Sequence, residues 1–380
     1  APAILKQKAN NPFKEKIVKY LRVASSLAEI PVKVDKKYRF FLDGSISANS
    51  KSGAAYRELV NSGISKNKIW HRGMDQKTAS SKNIRILLGL PWLVSLLFKN
   101  PKAIKCLDLI SLQVFVGYEV NKRFFNKHKK LVPIIISDLS PTLLMQWSGA
   151  LAAENEIMWW QEDYHHFRGF SEENYLPFRC DFAAILNQHG LETVRDKNPK
   201  AKVYLRHKTQ VKALKTEVST PRVGVATNAS FMATKNQLKI INKLKQKLNV
   251  SEVYIRLHPT SKLNNTNFRE DWIRIAPKEE TLEDYIRKVD LVVGGNSAVQ
   301  LKLLCEGIPV IHIEGLDSFA FDLYGYCKLG FTYGIQKDIS KVSWEDVQEF
   351  YKDHRIQEKL ENYINVKEKV STLKEFSTEL

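Results

Sequence analysis

Short apolar runs alternating with amphipathic helical stretches fill the second half of this chain, and that alternation constrains its fold most. RVGVATN, VYIRL, WIRIA, DLVVGGN and IPVIHIE have the length and β-branched content of buried strands. NQLKIINKLKQKL, TLEDYIRKV and SAVQLKLLCEG lie among them as predicted helices, the first with Leu238, Ile241, Leu244 and Leu248 on one face and lysines on the other. Strands buried on both sides and joined through helices form parallel sheets with helices on both faces.

The first half repeats the alternation. YRFFLDG is a predicted strand, SISANSKSG a small-residue loop, and AAYRELVNSG a helix stopped at Gly63. IRILLGL and VPIIISD are further strands, the second followed by a helix with Ser140 as N-cap and Pro141 at its first position. EIMWWQED, FAAILN and KVYLRH complete the run. The stretch KTQVKALKTEVSTP is polar and poorly periodic, and reads as a linker. The expected organisation is a basic helical leader (1–35), an α/β domain (36–207), a linker (208–221), a second α/β domain (222–342) and a helical tail (343–380). The fold class expected is α/β, with two doubly wound Rossmann-like domains facing a cleft.

The net charge of +18 favours an anionic partner: nucleic acid, a membrane face, or an acidic polymer or nucleotide. No helix-turn-helix, aromatic RNP motif or zinc module is present, so nucleic acid is not expected. The basic runs NKRFFNKHKK and KNPKAKVYLRHK read as solvated faces, with Phe124 and Phe125 in the core. The longest apolar run, Ile86 to Phe98, is shorter than the roughly 20 residues a membrane helix needs and contains Pro91. Cys106, Cys180, Cys305 and Cys327 show no CxxC spacing, which points to a reducing, cytoplasmic setting, with the leader helix offering peripheral contact with an anionic inner membrane.

Ligands of doubly wound sheets bind beyond the carboxyl ends of the strands. Asn228 follows the first strand of the second half, His258-Pro259-Thr260-Ser261-Lys262 the next, Gly294-Gly295-Asn296-Ser297 a third, and Glu314 a fourth. Proline holds the residue before it extended, so His258 is set at a fixed angle past its strand. The Gly-Gly turn lets a ligand approach the backbone, with Asn296 or Ser297 expected to cap the following helix and an anion expected at its N-terminus. Asn228, His258, Pro259, Lys262, Gly295, Asn296, Ser297 and Glu314 are therefore the candidate nucleotide- and phosphate-binding residues.

YIRLHP, the later VVGGNSAVQLKLLCEGIPVI and an acidic pair in the first half together resemble bacterial GT-B glycosyltransferases. The likeness is to the sialyltransferases, polysialyltransferases and Kdo transferases of capsule and lipopolysaccharide assembly, over about residues 220–315. The resemblance implies that His258-Pro259 and the Ser297 turn hold the phosphate of a CMP-sugar. It implies a catalytic base in the other domain, where Glu162-Asp163 ends a predicted strand, with Tyr164 in place of the family's Gly. A carboxylate there would take the acceptor hydroxyl's proton. Glu162 is preferred to Asp163; His165, His166 and Asp138 come next. Asp43 and Ser45 are acceptor-side candidates in a loop that lacks GxGxxG. The spacing Glu-Asp-x-His-His does not suit zinc, so no metal site is expected. Many relatives hold the donor ribose with a Glu where this chain has Lys302, which argues against a UDP-sugar retaining pattern.

The implied activity is inverting, metal-independent transfer of an acidic sugar, of sialic acid or Kdo type, from a CMP donor to an acidic or lipid-linked surface glycan, without a further cofactor. The rivals are a polyol phosphate transferase using CDP-glycerol or CDP-ribitol, and a polyanion-binding protein without chemistry.

Overall fold

The computed structural model describes residues 34, 35, 37–43, 51–71, 109–136, 141–164, 179–317, 321–336 and 338–378. Nearly all of the leader, the strand IRILLGL, and the residues Cys106, Asp138, Ser140, Ser45, His165 and His166 lie outside them.

The first unit runs β1 (Phe40–Leu42), α1 (Lys51–Asn61), β2 (Ile69–His71), α2 (Leu109–Lys127), β3 (Val132–Ile136), α3 (Pro141–Ala152), β4 (Met158–Trp160), β5 (Phe182–Ile185), α4 (Gln188–Lys197) and β6 (Lys202–Leu205). The second runs β7 (Val223–Ala226), α5 (Lys235–Lys247), β8 (Val253–Arg256), β9 (Ile273–Ile275), α6 (Leu282–Lys288), β10 (Leu291–Gly294), α7 (Val299–Cys305), β11 (Val310–Ile313) and β12 (Tyr333–Ile335). The tail adds α8 (Trp344–Lys352), α9 (His354–Ile364), β13 (Ser371–Thr372) and α10 (Leu373–Thr378).

Two parallel sheets result, in the orders β13-β6-β5-β4-β3-β1-β2 and β12-β11-β10-β7-β8-β9. Their strands are apolar on both sides because helices cover both faces: Val132–Ile136 is buried throughout, and so is Leu291–Gly294. This is the doubly wound α/β architecture expected, with two Rossmann-like units. Phe124 and Phe125 are buried against Phe41, with ring centroids 5.4 and 5.6 Å away, so the aromatics of that basic run are core.

Two local expectations change, while the helix stop at Gly63 holds. Lys51, Ser52 and Gly53 belong to α1 rather than to the loop before it, and the Ser52 hydroxyl donates to the Asp43 carbonyl at its start. At the other end the chain reverses through Gly63, whose φ of +104° suits only glycine. Along α5 Ile241, Leu244 and the C-cap Leu248 are buried as expected, but Leu238 is half-buried and its neighbour Gln237 is buried instead. Gln237 closes a capping box with Thr234 and donates to the Leu316 carbonyl at 3.0 Å, which draws a polar side chain into the core.

β2, β12 and β13 carry no signal long enough to read from sequence. β13 is the more consequential, because it pairs in parallel with β6 and returns the tail to the first sheet. α8 packs Trp344, Val347 and Tyr351 into the second core, whereas Leu373 and Phe376 of α10 enter the first.

Candidate functional site between the two sheets

Each sheet reverses its strand order once. In the second sheet the reversal falls between β7 and β10, in the first between β1 and β3. A crevice opens at such a point beyond the carboxyl ends of the strands, and ligands of this fold bind there. Asn228 follows β7 and the Gly295-Asn296-Ser297 turn follows β10, so the sequence candidates do flank the second reversal.

The structure fills that crevice with Asp317. Its carboxylate accepts from Asn228 Nδ2 at 2.8 Å and from the backbone N–H of Asn296. Gly295 permits this approach, since a Cβ there would stand 2.1 Å from Asp317 Oδ2. Asn228 Nδ2 also donates to the Asn296 carbonyl at 3.0 Å, closing the network. The capping expectation is therefore corrected: the N-cap of α7 is Ala298, without a side-chain cap bond, and Asn296 Oδ1 instead accepts from Leu323 N at 2.6 Å. Ser297 is buried beside it, and Glu314 lies just past β11 with its N–H on the Ile335 carbonyl. Asp317 was missed in the sequence because it follows its strand by four residues, in a loop with no motif of its own.

His258 is built as its setting suggested. Its backbone N–H donates to the Thr227 hydroxyl at 3.0 Å, which ties the strand-tip loop to the neighbouring strand. The backbone N–H of Thr260 donates to His258 Nδ1 at 3.2 Å. The Thr260 hydroxyl is 2.8 Å from the same nitrogen; with Nδ1 accepting from the backbone N–H, the neutral imidazole carries its ring proton on Nε2. Burial, then the charges of Lys51 and Arg256, lower the His258 pKa, which keeps the ring neutral near pH 7. A neutral Nε2–H is a hydrogen-bond donor that does not need an acidic solution.

Beside His258 lies a cavity of ≈ 550 Å³, lined by Arg256, Pro259, Ile275, Pro277 and Lys278 among others. Its size is that of small-molecule sites generally. Lys262 is exposed and is not part of this lining, so the cations beside His258 are Arg256 and Lys278, at positions the motif did not single out.

Across from His258, Glu162 and Asp163 follow β4, and each carries a lysine. Lys51 Nζ, at the start of α1, is 2.6 Å from Glu162 Oε2. Lys302 Nζ, on α7 of the other unit, is 3.7 Å from Asp163 Oδ2. The turn is held from beneath by Arg206, whose side chain is 8% exposed and lies on the Trp160 ring at 4.5 Å. Arg206 donates to the Gln161 carbonyl, to the Glu162 carbonyl at 3.3 Å, and through both ends of its guanidinium to Glu58.

Tyr164, standing where the family resemblance places Gly, is a plug. It is 3% exposed in the core of the second unit. Its carbonyl accepts from the hydroxyls of Tyr363 at 3.1 Å and Tyr326 at 3.4 Å, and burial pushes its own hydroxyl up to about 12. Asp163 thus sits in a packed junction, whereas the Glu162 carboxylate pairs with Lys51, whose charge also bears on His258. Asp43 lies at the reversal of the first sheet. Among the described residues no three His, Cys, Asp or Glu side chains gather as a metal-ligand set, and no helix is long and apolar enough to cross a membrane. Cys180, Cys305 and Cys327 are not disulfide-bonded.

No family model matches the sequence, and no curated protein matches it. Solved structures similar to this chain include the S. aureus MnaA–UDP co-structure, at 10% identity over 90% of this chain and 93% of that one, TM-score 0.48. UDP-GlcNAc 2-epimerase from Neisseria meningitidis bound to UDP-GlcNAc is similar at 12% identity over 85% and 88%, TM-score 0.42. The glycosyltransferase SnogD from Streptomyces nogalater is similar at 12% identity over 71% and 77%, TM-score 0.40. The fold of this chain rests on its own strand order.

Proposed function

We propose that this protein is an inverting, metal-independent glycosyltransferase that moves an acidic sugar from a CMP donor to a surface glycan at the cytoplasmic face of the membrane. The observation that carries the reading is Lys51, which lies 2.6 Å from the Glu162 carboxylate of one unit while its charge bears on His258 of the other, beside a cavity of ≈ 550 Å³. In this reading the acceptor hydroxyl gives its proton to Glu162 while its oxygen attacks the anomeric carbon. The bond from that carbon to the phosphate breaks, and His258 Nε2–H stabilises the departing phosphate oxygen, with Lys51 and Arg256 supplying positive field. The cytosine ring of the donor lies in the cavity flanked by Ile275 and Pro277. Lys302, where relatives carry the ribose-binding Glu, supports a donor other than a UDP-sugar, and the net charge of +18 supports an acidic acceptor.

Thermal unfolding with CMP, CDP, UDP and GDP tests this. A nucleotide at 100 times its dissociation constant adds about 2.7 kcal/mol. CMP should stabilise most, and His258→Ala should diminish the effect. Stabilisation by UDP or CDP alone would overturn the donor assignment, and stabilisation by none would overturn the reading.

A further inference from the structure

Lys51 belongs to neither motif, yet its ammonium pairs with one candidate catalytic group and its charge bears on the other. It is 2.6 Å from Glu162 Oε2, and its charge reaches the His258 ring across the gap. Its side chain is half exposed, so it can turn from one partner to another without unpacking a core. In this structure the base candidate is paired, and a carboxylate paired with an ammonium is a weakened proton acceptor.

We propose that Lys51 is a positioning residue that masks Glu162 until the donor arrives: the phosphate docked against His258 draws the Lys51 ammonium to itself, and Glu162 becomes a competent base only once the donor is bound. This rests on the transferase reading above. The exchange is balanced in charge, because the phosphate brings the anion that Lys51 needs once it leaves the carboxylate.

Among the described residues, the other charged groups around Glu162 have different partners. Arg206, past β6, donates to the Glu162 carbonyl and spends its guanidinium on Glu58. Glu58 on α1 is itself held by Arg206 and His207. Asp163 is paired with Lys302 of α7. Burial and the charges of Lys51 and Arg256 favour the neutral form of His258.

The pH dependence of steady-state kinetics tests the proposal, with the donor varied at saturating acceptor. The profile of kcat/KM reports groups before the donor binds, and that of kcat reports the ternary complex. In the wild-type enzyme the acidic limb of kcat/KM should lie below that of kcat by about one pH unit or more, the span an adjacent cation produces. Lys51→Met should raise the kcat/KM limb until the two coincide, and should raise KM for the donor. Lys51→Arg should keep the gap. A wild-type enzyme that turns over with coincident limbs overturns this inference alone, as does a gap that survives in Lys51→Met. Absence of His258-dependent CMP binding overturns the transferase reading and this inference with it.

Discussion

Thr260 meets Nδ1 of His258 twice, with its backbone N–H at 3.2 Å and its hydroxyl at 2.8 Å, and this pairing bears on what His258 can do. It places the ring proton on Nε2 without recourse to any ligand. The Pro259 between the two residues shapes the turn that brings Thr260 back over the ring. A histidine arranged in this way is a fixed donor rather than a proton shuttle.

Two measurable consequences attach to that arrangement. The His258 pKa should lie below the ordinary 6.5, because burial and two nearby cations favour the neutral form. The sign follows: the neutral ring and its Nε2–H donor are present above that value, and protonation at lower pH disrupts the Thr260 bond. NMR titration of the ring nitrogens should show the Nε2–H tautomer at pH 7. His258→Ala should lower kcat about 100- to 1000-fold, the usual loss when a preorganised donor to a departing oxygen is removed. Near-wild-type turnover would refute the role.

The acidic pair makes a sharper forecast. Glu162→Gln should lose about 100- to 10,000-fold in kcat, the range of general base catalysis, while CMP binding persists. Asp163→Asn should act differently. Its carboxylate faces Lys302 at 3.7 Å and accepts from the Tyr164 N–H at 2.9 Å, so the amide should loosen the junction between the units. Denaturation midpoints together with kcat separate the two outcomes. Equal losses of kcat at unchanged stability would contradict this division of labour.

What was legible in the sequence follows a physical line. Strands buried on both faces, such as Val132–Ile136 and Leu291–Gly294, announce themselves because every residue must be apolar. Helices with a lysine face and a leucine face do so through their period. His258 could be found because proline makes a strand end visible. The short strands β12 and β13 could not, since three or two residues carry no period. Lys51 and Asp317 were invisible for another reason. Each acts through a partner more than 20 positions away in the chain, and no local pattern encodes that pairing. The Lys302 substitution was noticed as a departure, but its bond to Asp163 needed the packing of one unit against the other.

Asp317 invites a test of the crevice it occupies. Asp317→Ala removes the acceptor from Asn228 Nδ2 and the Asn296 N–H. Donors left unpaired in a buried place cost about 1–3 kcal/mol, so the midpoint of urea unfolding should fall accordingly. The vacated donors would then accept an anion from solution. Inorganic phosphate should recover part of the lost stability in the variant and have less effect on the wild-type protein. Equal responses to phosphate would show that the crevice is not an anion cradle once Asp317 is gone.

The last forecast concerns Glu58, which anchors the support of the acidic turn. Burial pushes its carboxyl up, but hydrogen bonds from His207 and Arg206 outweigh that and hold it at about 2 against an ordinary 4.5. A depressed carboxylate stabilises the fold above its unfolded pKa, and the contribution disappears as pH falls through the folded value. The Glu58 contribution should therefore be complete above about pH 5 and should fade between pH 4.5 and about 2. Glu58→Gln should destabilise the protein near neutral pH by about 1.5–3 kcal/mol, the worth of hydrogen bonds to a charged group. The gap between wild type and variant should close as acid protonates the wild-type carboxyl. Urea unfolding of both proteins from pH 7 down to pH 3 measures it; a gap that stays constant would mean that Glu58 stabilises by packing and not by charge. Because Arg206 also holds the Gln161 and Glu162 carbonyls, the variant should lose activity at neutral pH while its CMP affinity, set on the other sheet, remains.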